Sequence, residues 1–149
     1  MKISSQVTSP FVTLKRAHLA TRGLIDRGFA TLGVSLAQYQ ALRLLDEEPG
    51  ISGAELARRS SVTAPTMNEI VGGLERNGLI VREPAPEGRR LLAHLTPAGE
   101  EVIARCVPMV EQMRAVVFAS IDAARLADAM AVLEEISDAA DAFDEGALS

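Results

Sequence analysis

Apolar side chains recur every three or four positions through most of this chain, which is the spacing that places them on one face of an α-helix. Outside the middle of the sequence this pattern predicts four helices, at residues 8–31, 35–48, 97–120 and 122–143. Ser35 and Gln38 have the spacing of a capping box at the start of the second helix, and Pro49-Gly50 ends it. We therefore expect a mainly α-helical fold.

Two shorter helices joined by a tight turn are predicted in the middle of the chain. Ser52 and Glu55 have the capping-box spacing, so the first of these helices begins at Ser52. Thr63 followed by Pro65 begins the second, and Val62 fills the turn between them. The side chains expected to face the core are Leu56, Ala57, Met67, Ile70, Val71 and Leu74. The pattern predicts a helix-turn-helix, whose second helix buries one side and offers the other to a groove of DNA.

A short β-hairpin is predicted directly after these two helices. The runs Leu79–Arg82 and Arg89–Leu95 are apolar or alternating, as short strands are. Glu83–Gly88 is rich in strand-breaking residues and is expected to form the tip, with the pair Arg89-Arg90 at its base. Thr96-Pro97 is typical of a helix start, so a helix should follow the hairpin at once.

Three segments together carry a family resemblance: Leu74–Ile80, the proline-containing hairpin with its arginine pair, and Leu95–Gly99. With these motifs the chain resembles the MarR family of bacterial winged-helix regulators, from about Leu14 to Phe143. The resemblance implies a mainly α fold with a small β-hairpin wing, that is, a winged helix-turn-helix with N- and C-terminal dimerisation helices. Members of the family are homodimers that bind pseudo-palindromic operators and usually repress transcription until a small ligand or an oxidant changes the spacing of their two DNA-binding heads.

The same resemblance divides the chain into parts with different tasks. Residues 1–149 are expected to form a single subunit. Within it, residues 35–96 would form the winged-helix DNA-binding part, and residues 8–31 and 97–145 the helical dimerisation part.

Two features depart from the family's usual pattern. The wing normally has an aspartate just before its basic pair, where this chain has Gly88. The DNA-facing helix often carries an arginine where Glu69 and Gly73 stand. The first departure leaves open what braces the wing, and the second leaves open which base contacts are made.

Candidate DNA contacts lie at the outward positions that begin the second helix of the helix-turn-helix, hereafter the recognition helix, and at the wing. On the recognition helix they are Thr63, Ala64, Thr66, Asn68 and Glu69. The Asn68 amide can pair with adenine, the threonine hydroxyls can bond bases or phosphates, and Ala64 can contact a thymine methyl. Glu69 could accept a hydrogen bond from cytosine or could simply face solvent. Arg89 or Arg90 would reach the minor groove or its phosphates, unless the pair only supports the hairpin.

The net charge of −5 is unevenly distributed along the chain. Residues 1–30 carry +4 and residues 52–90 carry +1, whereas residues 101–149 carry −7. The acidic segment should face away from a phosphate backbone, although its charges could equally be a solvated helix surface. This distribution argues against non-specific coating of nucleic acid but not against a local DNA-binding head.

The first and last predicted helices have more apolar surface than one small winged-helix domain can cover. In the last helix the positions that recur at three- and four-residue steps are Leu126, Met130, Leu133, Ile136 or Ser137, Ala140 and Phe143. An isologous dimer would cover this surface and place two recognition helices one turn of DNA apart, about 34 Å. The alternative is that both apolar stripes pack only within the subunit.

A small-molecule effector is the least defined of the expected partners. A cavity between the DNA-binding head and the dimerisation helices could be lined by His18, Tyr39, Arg43, Met109 and Met113. Each of these also fits a position in the core or on the surface. Cys106 lies on an apolar helix face without a resolving partner, which favours an inert buried thiol over a redox switch.

Other classes of function find little support in the sequence. One cysteine permits no intrachain disulfide, and the two histidines and one cysteine are too widely spaced to suggest a metal site. Neither a nucleophile elbow nor a glycine-rich phosphate loop is present, so we expect no enzyme, no catalytic residues and no cofactor. Without a signal-peptide pattern or a membrane-spanning run, a cytoplasmic protein with no membrane contact is expected. A winged-helix module for protein interaction remains an alternative, although the polar outward groups of the recognition helix favour DNA.

Overall fold

The computed structural model describes residues 9–88 and 90–143, which form helices and one antiparallel hairpin. The elements are α1 (Pro10–Ala30), α2 (Leu36–Glu47), α3 (Gly53–Arg59), α4 (Ala64–Arg76), β1 (Ile80–Pro84), β2 (Leu91–Leu95), α5 (Pro97–Val117) and α6 (Ala123–Asp141). The predicted mainly α fold with a β-hairpin wing is confirmed. The described residues fall into two compact units that divide after Val110, within α5.

Side-chain caps fix where the helices of the first unit begin. At Ser35 the predicted capping box is complete, because its hydroxyl accepts from the Gln38 N–H and the Gln38 side chain accepts from the Ser35 N–H. At Ser52 only half of the box forms: the hydroxyl accepts from the Glu55 N–H at 3.2 Å. The Glu55 carboxylate pairs instead with Arg58, one turn further along α3. The helix start was thus predicted correctly, but the reciprocal contact was not.

The core of the first unit gathers side chains from α1 to α5 and from the wing. The large side chains that are fully buried are Phe29, Leu42, Leu45, Leu56, Met67, Leu74, Ile80 and Cys106. The predicted inner faces of the two central helices are therefore confirmed, except that Ile70 is only half-buried. Burial of these faces leaves the opposite side of α4 exposed.

The turn between α3 and α4 is closed by backbone hydrogen bonds rather than by glycine. Ser61 adopts a left-handed conformation with φ +52°, which is uncommon for a residue with a side chain. The Val62 N–H then donates to the Ala57 carbonyl at 3.1 Å, so that α3 ends in a Schellman-type cap. Val62 is half-buried in this turn, in the place that the sequence predicted.

The wing is a two-stranded ladder whose register runs from Ile80 opposite Leu95 to Pro84 opposite Leu91. The prediction that Glu83 and Pro84 belong to the tip is wrong, because β1 continues through both. A proline is tolerated at this end of the strand, and the next N–H, that of Ala85, donates to the Arg90 carbonyl at 2.8 Å. The described residues of the tip are therefore 85–88 and 90.

The wing is joined closely to the start of α5. The Thr96 hydroxyl donates to the Gly78 carbonyl at 2.7 Å and accepts from the Gly99 N–H at 3.1 Å, which confirms the predicted helix start. A Cβ atom on Gly99 would lie 2.2 Å from the Leu79 carbonyl oxygen. Only glycine fits at this close approach of the helix to the end of the wing.

The second unit contains the end of α5, which stops at Val117 rather than near Ser120, and α6, which begins at its cap Asp122. No residue of α6 is buried in the single chain. All of its apolar side chains except Leu126 are exposed, and so are Val117 and Ile121 before it. Among the described residues, no helix combines the length and apolar content that a membrane crossing requires.

Candidate nucleic-acid interface

The recognition helix α4 is held with one face in the core and the other in solvent. Met67, Val71 and Leu74 are buried on its inner face. At 100° per residue the outward side carries Asn68 and Glu69, then Gly72 and Gly73 one turn later, and Arg76 two turns after Glu69. Asn68 and Glu69 are both exposed, as are Thr63, Ala64 and Thr66 at the helix start.

The two threonines at the start of α4 are organised by each other. The Thr63 hydroxyl accepts from the Thr66 N–H at 3.3 Å and lies 2.9 Å from the Thr66 hydroxyl. Thr63 is therefore the N-cap of the helix, and this pair of hydroxyls stands at its exposed amino-terminal end. The helix dipole favours negative charge at such an end, so a phosphate oxygen fits beside it.

A groove of about 460 Å³ lies between the start of α3, the recognition helix and the wing. Asn68 and Arg90 both line it, so the structure brings together one candidate from the recognition helix and one from the wing. Leu56 and Val71 contribute apolar floor, and Arg82 of β1 also lines the groove. Arg89, the other arginine of the predicted pair, lies outside the described residues.

Gly88 has φ +100° in the wing tip, a conformation that glycine adopts without cost. An aspartate at this position, as the family usually has before the basic pair, would be strained in this backbone.

Arg76, in the last turn of α4, was not among the residues predicted from the sequence. Its Nη1 lies 3.2 Å from where a Cβ on Gly72 would be, and its Nη2 lies 3.7 Å from the equivalent point on Gly73. The guanidinium thus occupies space that side chains at these two positions would fill. Arg76 lies near the middle of the outward face, between the directions of Asn68 and Glu69. The burial pattern of α4 could have identified it.

Several arginines near this surface are already paired with carboxylates. Arg58 bonds Glu55 within α3, which lowers the pKa of Glu55 mainly through that hydrogen bond. Arg59 reaches Glu48 at 3.0 Å and so ties the end of α3 to the residue after α2. Arg82 of β1 donates from both Nε and Nη2 to Oε2 of Glu75 on α4.

The five residues predicted to line an effector cavity do not share one groove. His18 lines a groove of about 360 Å³ between α1 and α2. Tyr39 and Arg43 line a separate groove of about 250 Å³ together with Arg59 and Ser60. Met109 is half-buried in the first unit and Met113 is half-buried in the second. His18 lies on α1 and Tyr39 on α2, and in the single chain they line different grooves; a shared effector cavity stays a prediction.

Cys106 is fully buried, and burial raises the pKa of its thiol, with Arg105 opposing that shift. Over residues 9–88 and 90–143, no three histidine, cysteine or acidic side chains come together as metal ligands would.

An exposed recognition helix beside an arginine-bearing β-wing defines a winged-helix DNA-binding protein. Comparison with known proteins agrees: a sequence model of the MarR family matches residues 32–91. The HTH-type transcriptional repressor Rv2887 of Mycobacterium tuberculosis is 33% identical over 124 residues, which cover 83% of this chain and 89% of that protein.

Solved structures give the same result. The PcaV transcriptional regulator of Streptomyces coelicolor, solved with its natural ligand, superposes with a TM-score of 0.80 at 27% identity and covers 94% of this chain and 99% of its own. Rv2887 with salicylic acid gives a TM-score of 0.64 at 33% identity, covering 87% and 96%. The chain belongs to the MarR family. It is a DNA-binding transcriptional regulator, not an enzyme.

Proposed function

We propose that this protein is a ligand-responsive repressor that binds a pseudo-palindromic operator as a homodimer. The observation that carries the proposal is the groove in which Asn68 of the recognition helix and Arg90 of the wing lie together. A side chain that can read a base and a cation that can reach the backbone are thereby presented on one surface.

Each DNA candidate has a separate task in this proposal. Asn68 pairs with adenine in the major groove, and Ala64 contacts a thymine methyl. Thr63 and Thr66 bond a phosphate at the start of α4, where the helix dipole assists. Glu69 accepts from cytosine or faces solvent. The residues that contact the backbone from elsewhere are Arg76, Arg89 and Arg90.

The homodimer is proposed because the ends of the chain carry uncovered apolar side chains. In α1, Phe11 is 81% exposed, and in the second unit Val116 is 71% exposed. Leu133 and Ile136 of α6 are also exposed, and the two residues between them, Glu134 and Glu135, are charged. Soluble proteins cover surfaces of this kind by association. Residues 8–31 and 97–145 are accordingly proposed for dimerisation and residues 35–96 for DNA binding, with residue 8 and residues 144–145 outside the described part.

A small aromatic carboxylate is the effector class that we propose for the His18 groove. Ile25 and Leu36 give the groove an apolar wall, and beside His18 it contains Arg22, which pairs with Asp26 of the same lining at 3.4 Å. Such a lining suits a ring with one negative group. The relative Rv2887 has been crystallised with salicylic acid, which supports the same class.

A redox-sensing repressor acting through Cys106 is disfavoured. The thiol is buried within the first unit, and its raised pKa keeps it protonated near neutral pH. A protonated, inaccessible thiol is a poor target for an oxidant.

Selection of bound duplexes from a random DNA pool tests the proposed function. The expected result is an inverted repeat, whose affinity falls steeply with salt because six to ten phosphate contacts release counterions, about 10³- to 10⁵-fold between 50 and 200 mM. Salicylate is then titrated into the complex and should release the DNA from the wild-type protein but less readily from His18→Ala. Recovery of no preferred sequence at low salt would contradict the operator proposal; release that is indifferent to His18 would contradict the effector site.

A further inference from the structure

One ion pair connects the recognition helix to the wing. Glu75 lies in the last turn of α4 and Arg82 in the middle of β1, seven residues later. Both Nε and Nη2 of Arg82 donate to Oε2 of Glu75. Among the described residues this is the ion pair that joins these two elements; the others lie within one helix or link α3 to the end of α2.

The pair bridges a turn that is otherwise held by a backbone cap and by the hydrogen bond from the Thr96 hydroxyl to the Gly78 carbonyl. Gly78, with φ +71°, follows the end of α4 and sets the direction in which the chain leaves the helix. The Leu79 N–H donates to the Leu74 carbonyl at 3.0 Å and the Gly78 N–H to that of Glu75 at 2.9 Å, which completes a Schellman cap. Beyond this cap, the Glu75–Arg82 contact is a second tether between helix and strand.

The pair is also well placed to be persistent. The Glu75 and Arg82 side chains are only 39% and 32% exposed, and in no other ion pair of the described residues are both side chains less than 40% exposed. The hydrogen bond from Arg82 lowers the pKa of Glu75, and the bond to Glu75 raises the pKa of Arg82, so both groups stay charged across the neutral range. A guanidinium with two donors on one carboxylate is further restricted in orientation.

Arg82 lies at the border of the groove that contains Asn68 and Arg90. It is paired in the ladder with Ala93, which is buried, so a movement of Arg82 relative to α4 would move both strands. Arg90 immediately precedes β2 and would move with the two strands.

We propose that Glu75 and Arg82 form a positioning pair that sets the wing against the recognition helix, so that Arg90 reaches the DNA backbone while Asn68 reads a base. This inference rests on the proposed operator binding. Arg82 acts through Glu75 and does not itself contact DNA. The pair also supplies a brace at the base of the wing in a chain that lacks the usual aspartate at Gly88.

The test compares Glu75→Gln, Arg82→Gln and the double variant on the selected operator. Each single change should weaken binding about five- to tenfold. Each should also remove the protection of the wing's flanking minor groove from hydroxyl radicals, while the base preference at the Asn68 position is retained. The double variant should bind the operator no more weakly than either single variant, because each single change already breaks the ion pair. Glu55→Gln, which breaks a comparable pair within α3, is the matched control and should bind within about twofold of wild type.

Two outcomes would overturn the positioning role. If Arg82 contacted a phosphate, Glu75→Gln would free it and tighten binding, while Arg82→Gln alone would weaken binding and lower the salt dependence. Additive losses in the double variant would likewise mean that the two residues act separately.

Hydrogen exchange of the free protein tests the Glu75–Arg82 brace without an operator. In Glu75→Gln the amides of β1 and β2, and the Ala85 amide above all, should exchange faster, while those in the middle of α4 stay as protected as in wild type. Unchanged wing amides would refute the brace even if DNA binding failed for another reason. If operator selection fails but these amides loosen, the proposed function falls and the brace stands.

Discussion

Arginine side chains in the DNA-binding half of the chain differ in what already occupies their guanidinium groups. Arg58, Arg59 and Arg82 each bond a carboxylate. Arg76 and Arg90, by contrast, make no ion pair with any residue in the described part of the chain, and both are exposed. A phosphate can therefore bind the guanidinium of Arg76 or Arg90 without displacing a carboxylate. The net charge of +1 over residues 52–90 therefore does not show which of its arginines are available to bind phosphate.

Arg76→Ala should weaken binding to every duplex alike, because a phosphate contact carries no sequence information. The slope of log affinity against log salt should fall by about two for a dimer, at about 0.9 for each lost phosphate contact. Fluorescence anisotropy at several salt concentrations measures both quantities. Arg58→Ala removes a paired arginine and is the control; an equal slope change in the two variants would speak against a specific role of Arg76.

Asn68→Ala should alter base preference rather than general affinity. The expected cost is about 1 to 3 kcal/mol at one base position in each half-site, with little change when that base is already unfavourable. A competition series with single-base variants of the operator measures it. If the preference at every position survived, the orientation of α4 assumed above would be wrong.

At the scale of elements, local signals in the sequence determined most of the boundaries. Caps at Ser35, Thr63 and Thr96 act within four residues of themselves, so they could be recognised without tertiary information. The reciprocal half of the Ser52 box failed because Arg58 lies one turn from Glu55 and competes for its carboxylate.

Features that depend on contacts between elements were harder to predict. The extension of β1 through Pro84 depends on its partner strand, and the grooves that His18 and Tyr39 line depend on how α1 and α2 pack. The Glu75–Arg82 pair joins two elements and leaves no signature in either one alone. Arg76 could have been found from the periodicity of α4, but its placement over Gly72 and Gly73 could not.

Gly99→Ala tests the junction between wing and α5. The added methyl would collide with the Leu79 carbonyl oxygen, so helix and wing must separate, and the free energy of unfolding should fall by about 1 to 3 kcal/mol. Urea denaturation measures the change. Gly53→Ala is the matched control, since a Cβ there meets open space and should leave stability unchanged or slightly raised. Equal stabilities for the two variants would contradict the close approach.

At the scale of the whole molecule, apolar side chains are buried in the winged-helix part and exposed in the last helix. The winged-helix part buries its own core, with Leu42, Leu56 and Met67 fully enclosed. The α6 helix buries nothing in the single chain, and Met130 and Leu133 are about half exposed. A second copy of the chain is the partner that would both cover this surface and double the number of operator contacts.

Leu133→Glu would place an unpaired charge in the proposed subunit contact. Because burial of such a charge is strongly unfavourable, the variant should be a folded monomer with greatly reduced operator affinity. Light scattering gives the mass, and circular dichroism verifies the helical content. Ala131→Glu, at an exposed position on the opposite face of the same helix, should remain dimeric if the apolar stripe is the contact. A full-affinity monomer would contradict the dimer assignment.

The spacing of the half-sites offers the most direct measurement of the central claim, that two recognition helices bind one operator together. Protein is titrated onto the selected inverted repeat and onto the same repeat with five base pairs, about half a turn, inserted between its halves. We predict two protomers on the intact repeat, and on the expanded repeat an affinity close to that of a single half-site. Equal affinity for both duplexes, with one protomer bound to each half independently, would contradict the account.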